Sequence, residues 1–351
     1  MRIAVNGGGP AGLAFALFAR MAGRNDEITI RDRTGAGDTY GFGVIMPPAA
    51  LEVFRDADPG LSDALQRHLV EWDRLSVHRH GRTATMRTPA LGAIDRRTLL
   101  GLLRQRCADL GVRLVRGDAV PVCDDYDLIV AADGARSATR TALAGAFGTT
   151  TRNIGADYIW LGADRAVDGM TFLIAKTPAG PAVAHAYPYL PDRSTFLVEA
   201  RGHPSPAELA ARFAGPLGGA RLLENRSRWS RFPEVRNATW FSGNVVLIGD
   251  AAHTAHYSIG SGTRLALDDA RVLAATLRSE ACLVDALAAY EALRRPVVEH
   301  TQRIGRSSAE WFSRLPDTSA EPLLRDLVTR GGQLSWQDLA TEGIGAVPVG
   351  S

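Results

Sequence analysis

The sequence predicts an α/β fold, in which a Rossmann-like domain is interrupted by an inserted, mostly antiparallel β-sheet domain and followed by C-terminal helices. Three observations predict this fold. Residues 1–33 follow the order strand, glycine turn, helix and strand, whereas residues 151–240 hold aromatic and β-branched runs separated by turn residues. After residue 253 the helical periodicity returns. Since a sheet-like stretch separates two stretches of α/β pattern, the first domain is expected to be discontinuous.

Length and composition limit the classes of protein to which the chain can belong. With 351 residues, 46% of them hydrophobic and 22% charged, the chain is long enough for two compact domains of about 150 residues each. A net charge of +2 gives no reason to expect nucleic acid or a membrane as a partner. Three cysteines without a CxxC pair fit a reducing compartment. We therefore expect a cytoplasmic protein, as a monomer or homodimer.

The first motif is the glycine-rich turn between the first predicted strand, RIAV, and the helix AGLAFALFARMAG. Glycines in a GxGxxG pattern allow a tight turn and let the backbone approach a pyrophosphate at the positive end of the helix. Asp32 ends the next strand, EITIRD, where a carboxylate suits the hydroxyls of a ribose. The motif predicts an adenine dinucleotide, held in the turn by Gly7, Gly9, Pro10, Ala11 and Gly12.

The next elements are predicted by periodicity and turn residues. Residues 33–48 form a Gly/Pro-rich loop, and PAALEVFRDAD and LSDALQRHLVEW have helical periodicity. RLSVHRHGRTATMRT predicts a β-hairpin that turns at His80 and Gly81. Residues 95–111 form an amphipathic helix, which the strands VRLVRG and YDLIVAADG follow.

The pattern changes at about residue 151. The runs YIWLGADR, MTFLIAKT, AVAHAYPYL and STFLVEA predict an antiparallel sheet. We therefore expect residues 1–72, 91–150 and 241–310 to form the first domain, residues 73–90 and 151–240 the inserted domain, and residues 311–351 a C-terminal helical segment.

Two later motifs indicate which dinucleotide is bound. Residues 127–140, DLIVAADGARSATR, resemble the DG motif of the flavoprotein aromatic hydroxylases, and VVLIGDAAH resembles the GD motif of the same family. Residues 290–296, YEALRRP, are similar to the helix that usually follows. Three motifs in the family's order span residues 5–296, so the chain resembles a class A flavoprotein aromatic hydroxylase.

Within this family, TYGFGVIM, AHAYPY and HTAHYSIGSGTRLALDDA are similar to the branch of the salicyloyl-CoA and anthraniloyl-CoA hydroxylases and the indole hydroxylase of violacein biosynthesis. The resemblance implies FAD as cofactor, NAD(P)H and O2 as co-substrates, and hydroxylation of an electron-rich aromatic ring through a flavin C4a-hydroperoxide. Tyr257 is a departure, because the wider family commonly has Pro at this position. The departure implies a different substrate pocket rather than a loss of flavin binding.

The resemblance also implies which residues contact FAD. Asp250 is expected to bind the ribityl chain, and the backbone of residues 260–263 is expected to face the flavin ring. N–H groups at the start of a helix can stabilise negative charge on a reduced flavin. Beyond the glycine turn and Asp32, the implied cofactor contacts are Arg33, Gly43, Arg96, Arg104, Asp133, Asp250, Gly260, Ser261, Gly262 and Thr263.

The aromatic strands of residues 158–198 are expected to form the wall of a dry substrate pocket. The stretch from His253 to Tyr257 would form the approach to the substrate. His185 and Tyr257 are the candidate catalytic residues, and His185 would polarise or deprotonate a ring substituent. Further expected substrate contacts are Met46, Trp160 and Tyr187.

Other chemistries find less support in the same stretch. His253 and His256 form an HxxH pair, but no HExxH pattern or nearby Cys or Asp ligand set predicts a metal. Ser261 lies between glycines, but the spacing is not that of a G-x-S-x-G nucleophile. Asp268 and Asp269, on the next helix, are expected to be surface or helix-dipole charges.

Several functions stay open at this point. A flavin-dependent halogenase needs a lysine to carry hypohalous acid, and the only lysine, Lys176, lies in the inserted domain. A non-catalytic FAD-binding protein would not couple NAD(P)H oxidation to an aromatic ligand. A hydroxylase would act on a free indole-, aniline- or phenol-type metabolite, which Pro47 and the violacein resemblance favour, or on an aryl-CoA thioester.

Overall fold

The computed structural model describes residues 1–23, 25–34, 41–120 and 125–330, except for the side chains of residues 48–49. Its strands are β1 (Arg2–Asn6), β2 (Glu27–Asp32), β3 (Gly43–Ile45), β4 (Val70–Arg79), β5 (Arg82–Asp95), β6 (Arg113–Arg116), β7 (Leu128–Ala131), β8 (Thr150–Ala163), β9 (Met170–Thr177), β10 (Gly180–Leu190), β11 (Arg193–Glu199), β12 (Leu222–Leu223), β13 (Ser230–Arg236), β14 (Phe241–Ser242) and β15 (Val245–Leu247). Its helices are α1 (Pro10–Met21), α2 (Pro48–Arg55), α3 (Pro59–Gln66), α4 (Arg96–Asp109), α5 (Ala138–Ala142), α6 (Ala144–Phe147), α7 (Pro206–Arg212), α8 (Ala214–Leu217), α9 (Gly262–Ser279), α10 (Leu283–Ser313) and α11 (Ala320–Thr329).

The first sheet has the strand order β14, β15, β7, β1, β2, β6. β1 runs parallel to both of its neighbours, so Ile3 stands opposite Ile28 on one side and Leu128 on the other. The central strands are buried, as expected for parallel strands that carry helices on both faces. α1, α4 and α9 share one hydrophobic core with these strands. The predicted Rossmann-like architecture is confirmed.

The second sheet has the order β12, β8, β11, β10, β9, β4, β5, β3, and β13 also pairs with β8. Its described strand pairs are antiparallel except β4 and β9. Along β10, the alanines pack with α7 and α8 on one face of the sheet, whereas Val183, Tyr187 and Tyr189 pack on the other face with residues of α10 and α11. The predicted antiparallel insertion is confirmed, and its second face is the one that bears the candidate substrate residues.

The predicted β-hairpin is confirmed, because β4 and β5 pair across a turn with Arg79 opposite Arg82. The predicted loop of residues 33–48 is wrong in part. Gly43–Ile45 forms β3, which pairs with β5 at the edge of the second sheet. Residues 35–40 of this loop lie outside the described residues.

The two sheets take their strands from different segments of the chain. The first uses residues 2–32, 113–131 and 241–247, and the second uses residues 43–45, 70–95 and 150–236. The domain boundaries stay a prediction, although the second sheet gains residues 43–45 and starts its hairpin at Val70, before the expected boundary. Residues 311–330 complete α10 and form α11, and residues 331–351 lie outside the described part. None of the described helices is long and apolar enough to cross a membrane.

Candidate active site

The glycine turn between β1 and α1 requires glycine for steric reasons. Gly7 has a φ of 111°, and a Cβ there would lie 2.3 Å from the carbonyl oxygen of Ala132. A Cβ on Gly12 would lie 2.1 Å from the carbonyl oxygen of Gly7. By contrast, a Cβ on Gly9 would meet no described atom within 4 Å. The turn is therefore tightly packed against the protein at Gly7 and Gly12 but open at Gly9. An open backbone of this kind is what close approach to a pyrophosphate requires.

Asp32, at the end of β2, is held beside this turn. Its Oδ2 accepts a 2.8 Å hydrogen bond from the N–H of Gly8, and its Oδ1 accepts from the N–H of Thr34 at 2.7 Å. Arg104, on α4, lies 3.5 Å from the same carboxylate, while Arg33 is exposed. The structure thus brings the two expected cofactor contacts Asp32 and Arg104 together at the edge of the turn.

Asp133 follows β7 at the end of the first sheet. Its Oδ2 accepts from the N–H and hydroxyl of Thr139 at 3.1 and 3.2 Å, whereas its Oδ1 is buried without a described hydrogen-bond partner. Arg140, in α5, donates to the carbonyl oxygen of Ala251 at 2.9 Å and of Ala135 at 2.6 Å. Arg140 therefore ties the DG motif to the GD motif.

Asp250 is an exposed residue, yet protein atoms crowd around its carboxyl group. This desolvation raises the pKa of its carboxyl group, and Asp269 adds to the rise. His253, Arg96 and Arg140 oppose it with their positive charge. Desolvation also lowers the pKa of Arg96, which starts α4, while Asp250 acts in the opposite direction. Arg96 and Asp250 therefore lie close enough for their charges to interact.

The expectation that Asp269 is a surface charge is wrong. Asp269 is 0% exposed. It accepts hydrogen bonds from the N–H of Gly249 at 2.9 Å and from Arg294 Nε at 2.8 Å, and its Oδ2 lies 2.7 Å from His253 Nε2. Burial pushes its pKa up, but His253 and Arg294 hold the pKa below its usual value. Asp268, in contrast, pairs with exposed Arg264 one turn away.

The expectation that His253 approaches the substrate is also wrong, because its side chain is buried against Asp269 and Trp240. Its ring packs 5.0 Å from the ring of Trp240, within the first sheet's core, and its Nε2 faces Asp269. His253 therefore fixes the GD loop from behind.

The loop before α9 has open positions and an unpaired hydroxyl. Gly260 has a φ of 63° and lies against Ile45, and a Cβ on Gly262 would meet no described atom within 4 Å. The Oγ of Ser261 is buried without a described hydrogen-bond partner. α9 begins at Gly262, so the N–H groups of Gly262 and Thr263 belong to its first turn. Together with Gly9 and the unpartnered Oδ1 of Asp133, these groups fit a dinucleotide that carries a flavin.

On the substrate side, His185 and Tyr257 come together from β10 and the loop before α9. The ring centroids of His185 and Tyr257 lie 5.9 Å apart. Phe172 and Phe312 enclose the His185 ring at 5.0 and 4.6 Å, and Tyr158 lies 4.8 Å from Tyr257. Burial raises the pKa of the Tyr257 hydroxyl well above its usual value. The predicted aromatic wall is thus present around these two residues.

The other expected substrate residues, Met46, Trp160 and Tyr187, already pack against protein atoms. Met46 is 0% exposed and packs in the core of the first sheet, so its expected contact with substrate is wrong. The Tyr187 hydroxyl already donates to the carbonyl oxygen of Gly43 at 3.0 Å, and the N–H of Gly43 donates to Thr195 Oγ1 at 3.0 Å. Since both polar groups of Gly43 are engaged, Gly43 shapes the wall instead of presenting its backbone. The Trp160 ring closes against Gly41 nearby.

Comparison with known proteins gives the family. The family described as FAD binding domain matches residues 125–304. A 3-hydroxy-4-methyl-anthranilyl-[aryl-carrier protein] 5-monooxygenase from Streptosporangium sibiricum is 72% identical over 349 residues, which cover 99% of each chain. The chain belongs to the family of FAD-dependent aromatic hydroxylases. The predictions of this family, of FAD and of aromatic hydroxylation are confirmed.

Two further likenesses agree with this family. A salicyloyl-CoA 5-hydroxylase from a Streptomyces species is 38% identical, over 89% of this chain and 65% of its own length. The tetrameric form of 2-methyl-3-hydroxypyridine-5-carboxylic acid oxygenase has a TM-score of 0.75 at 20% identity, over 95% of this chain and 98% of the other. The second likeness shows a shared fold.

Sequence reasoning missed three polar residues of this hydroxylase site. Asn6 ends β1 fully buried and donates from Nδ2 to Thr139 Oγ1 at 3.1 Å, so it supports the DG motif. Arg294 lies in the recognised stretch YEALRRP, but its partner Asp269 was expected at the surface. Glu199 is the sixth residue of the run STFLVEA, where an alternating pattern places it on the same face as Leu197. That alternation was the signal for Glu199.

Proposed function

We propose that this hydroxylase oxidises an amino- or hydroxyl-substituted benzoyl ring while the ring is attached to a carrier protein, with NAD(P)H and O2 as co-substrates. The observation that carries the proposal is the 72% identity, over 99% of both chains, to a monooxygenase of an anthranilyl group on an aryl-carrier protein. The free metabolite that the sequence favoured becomes the second candidate.

The residues on the cofactor side of the site support this proposal. Bound FAD supplies the activation of O2. The glycine turn and Asp32 would hold the adenosine and pyrophosphate, and Asp133 and Asp250 would accept hydrogen bonds from the rest of the cofactor. N–H groups in the first turn of α9 would stabilise negative charge beside them.

The substrate side would orient and shield the ring. Tyr257, Phe172 and Phe312 enclose His185 with aromatic carbon, which keeps water from the reacting atoms. The Tyr257 hydroxyl is buried without a described hydrogen-bond partner, so it is free to orient a polar ring substituent. Desolvation keeps this hydroxyl protonated, because it raises the pKa of Tyr257.

The test compares three forms of two substrates on the purified, FAD-loaded enzyme. Anthranilate and 3-hydroxyanthranilate are offered as acyl groups on an aryl-carrier protein, as CoA thioesters and as free acids, with benzoyl carrier protein as the unactivated control. We expect addition of one oxygen atom, detected by mass, to the carrier-bound activated rings. Faster hydroxylation of the free acids would overturn the carrier-bound substrate in favour of the second candidate.

The same assays test the cofactor residues and the competing functions. Asp250→Asn should lower the flavin absorbance per protein, while Asp268→Asn, its control near the same loop, should keep it. NADH and NADPH are compared as reductants in parallel. Chlorinated product in the presence of chloride would indicate a halogenase, and NAD(P)H oxidation that no aromatic ligand stimulates would indicate a non-catalytic flavoprotein.

A further inference from the structure

Glu199, the last residue of β11, is a buried carboxylate on the inner face of the second sheet. It is 2% exposed, and neither of its oxygens has a described hydrogen-bond partner. Its Oε1 lies 2.9 Å from His185 Nε2, which is within ion-pair distance, and neither atom makes a described hydrogen bond. Three polar atoms without a described hydrogen bond, the two oxygens of Glu199 and Nε2 of His185, therefore lie together in the aromatic wall.

The Tyr257 hydroxyl is a fourth polar atom beside the Glu199 carboxylate. Desolvation raises the pKa of Tyr257, and the nearby carboxylate, which can accept a hydrogen bond from the hydroxyl, raises it further. In register along the sheet, Glu199 stands opposite Tyr158, whose ring touches that of Tyr257. The charged and titratable groups around Glu199 are His185 on β10, Tyr158 on β8, His256 and Tyr257 before α9, and Arg330 after α11.

A buried glutamate elsewhere in the same sheet shows what a structural carboxylate looks like. Glu234, on β13, is also 2% exposed, but its two oxygens contact Arg152 Nε at 3.2 Å and Arg306 Nη1 at 3.0 Å. Burial of a carboxylate is costly unless its oxygens accept hydrogen bonds. Glu234 meets this requirement through two arginines, whereas Glu199 has only His185 and Tyr257 beside it, so its carboxylate can still accept a hydrogen bond from a ligand.

We infer that Glu199 accepts a hydrogen bond from the hydroxyl or amino group on the substrate's aromatic ring. This inference rests on the proposed function, since it assigns a ring substituent to the same site. The bond would hold the ring in one orientation between His185 and Tyr257. It would also draw the shared proton away from the substituent, so that the ring gains electron density and becomes a better nucleophile. Glu199 is thereby a substrate-binding residue and a determinant of specificity.

The test measures ring discrimination in binding, separately from turnover. The probes are the N-acetylcysteamine thioesters of 3-hydroxyanthranilic acid and benzoic acid, titrated into the FAD-loaded enzyme and followed by the visible spectrum of the flavin. A hydrogen bond to a charged group predicts that the wild type prefers the substituted ring by about 10- to 100-fold. In Glu199→Gln this preference should fall below about threefold, with flavin content retained.

The matched control is Glu234→Gln, which removes an equally buried carboxylate from the same sheet. It should lower thermal stability and leave the ring preference intact. Glu199→Asp keeps the charge but withdraws it by one methylene, so it should retain part of the preference. This variant also serves if Glu199→Gln does not fold, because an undiminished preference in Glu199→Asp would contradict a direct hydrogen bond.

The outcomes separate this inference from the proposed function. Equal binding of the two probes by the wild type, or a preference that survives in Glu199→Gln, would overturn the role of Glu199 even if carrier-bound rings are hydroxylated. A preference that depends on Glu199, in an enzyme that hydroxylates none of the carrier-bound rings, would support the role of Glu199 and overturn the proposed function.

Discussion

The two sides of the active site differ in how completely their buried polar groups are paired within the chain. The cofactor side comprises the glycine turn, Asp32, Asp133, residues 249–263 and Asp269 behind them. Most of its buried charges are paired within the chain, and Asp269 accepts from Gly249 and Arg294 and faces His253, although Asp133 Oδ1 and Ser261 Oγ have no described hydrogen-bond partner. The substrate side comprises His185, Glu199, Tyr257 and the rings around them. His185 Nε2 lies 2.9 Å from the Glu199 carboxylate, but neither these atoms nor the Tyr257 hydroxyl make a described hydrogen bond. The paired groups hold the surrounding elements in place, and we call these groups and the elements they join the frame. The unpaired groups can instead donate a hydrogen bond to a ligand or accept one from it.

The largest effect should come from breaking the frame at Asp269. Asp269→Asn leaves Arg294 and His253 without their buried counter-charge, and loss of one partner from a buried ion pair costs about 3–5 kcal/mol. We expect the free energy of unfolding, measured by urea denaturation, to fall by this amount and the flavin content to fall with it. Asp268→Asn, at the preceding residue, removes a pair with exposed Arg264 and should cost less than about 1 kcal/mol. Equal losses in both variants would contradict the distinction between frame and surface.

The second largest effect concerns the glycine turn. Gly12→Ala places a Cβ 2.1 Å from the carbonyl oxygen of Gly7, so the turn must move. We expect a loss of about 1–3 kcal/mol in unfolding free energy, together with a lower flavin content. The control is Gly101→Ala, in the exposed middle of α4, where a Cβ meets no described atom within 4 Å. Better helix propensity should stabilise that variant by about 0.5–1 kcal/mol, and a loss there would discredit the steric argument.

The same contrast explains what the sequence could predict. The glycine turn, Asp133 and Asp250 lie within short contiguous motifs, because a dinucleotide is bound largely by local backbone geometry at the end of a parallel sheet. The antiparallel insertion was visible in its β-branched and aromatic runs. These features of the cofactor side are encoded locally, so they can be recognised along the chain.

Pairings between distant elements could not be predicted in this way. Asp269 looked like a surface charge on a helix, because its partners Arg294 and Gly249 come from another helix and from the loop behind it. Met46 looked like a pocket residue, yet its loop folds into the first core. Glu199 becomes informative only once β10 and β11 are in register and place it beside His185.

The third prediction concerns the effect of pH on stability through His256, which lies in the loop before α9, between the cofactor side and the substrate side. Desolvation lowers the pKa of His256 from 6.5 to about 4 in the folded protein. The unfolded chain therefore binds the proton more readily, and the stability that is present above pH 6.5 is lost as the pH falls toward 4. Between pH 7.5 and pH 5 this single group should lower the unfolding free energy by about 2 kcal/mol.

Urea denaturation of the wild type and His256→Gln at both pH values measures the contribution of His256. The variant should show a smaller loss on acidification, by about 2 kcal/mol. The control, His203→Gln, removes an exposed imidazole near Asp157 and should keep the full loss. If both variants lose stability as the wild type does, the acid sensitivity comes from another group.

The smallest effect on stability should come from removing a hydroxyl on each side. Tyr290, on α10, donates to the carbonyl oxygen of Leu247 in the frame at 3.1 Å, whereas the Tyr257 hydroxyl has no described hydrogen-bond partner. Tyr290→Phe should therefore cost about 1–2 kcal/mol of unfolding free energy, and Tyr257→Phe less than about 0.5 kcal/mol. The order should reverse in the product formed per NAD(P)H oxidised, because only the Tyr257 hydroxyl would meet the substrate. A stability loss in Tyr257→Phe as large as that in Tyr290→Phe would mean that the hydroxyl of Tyr257 belongs to the frame.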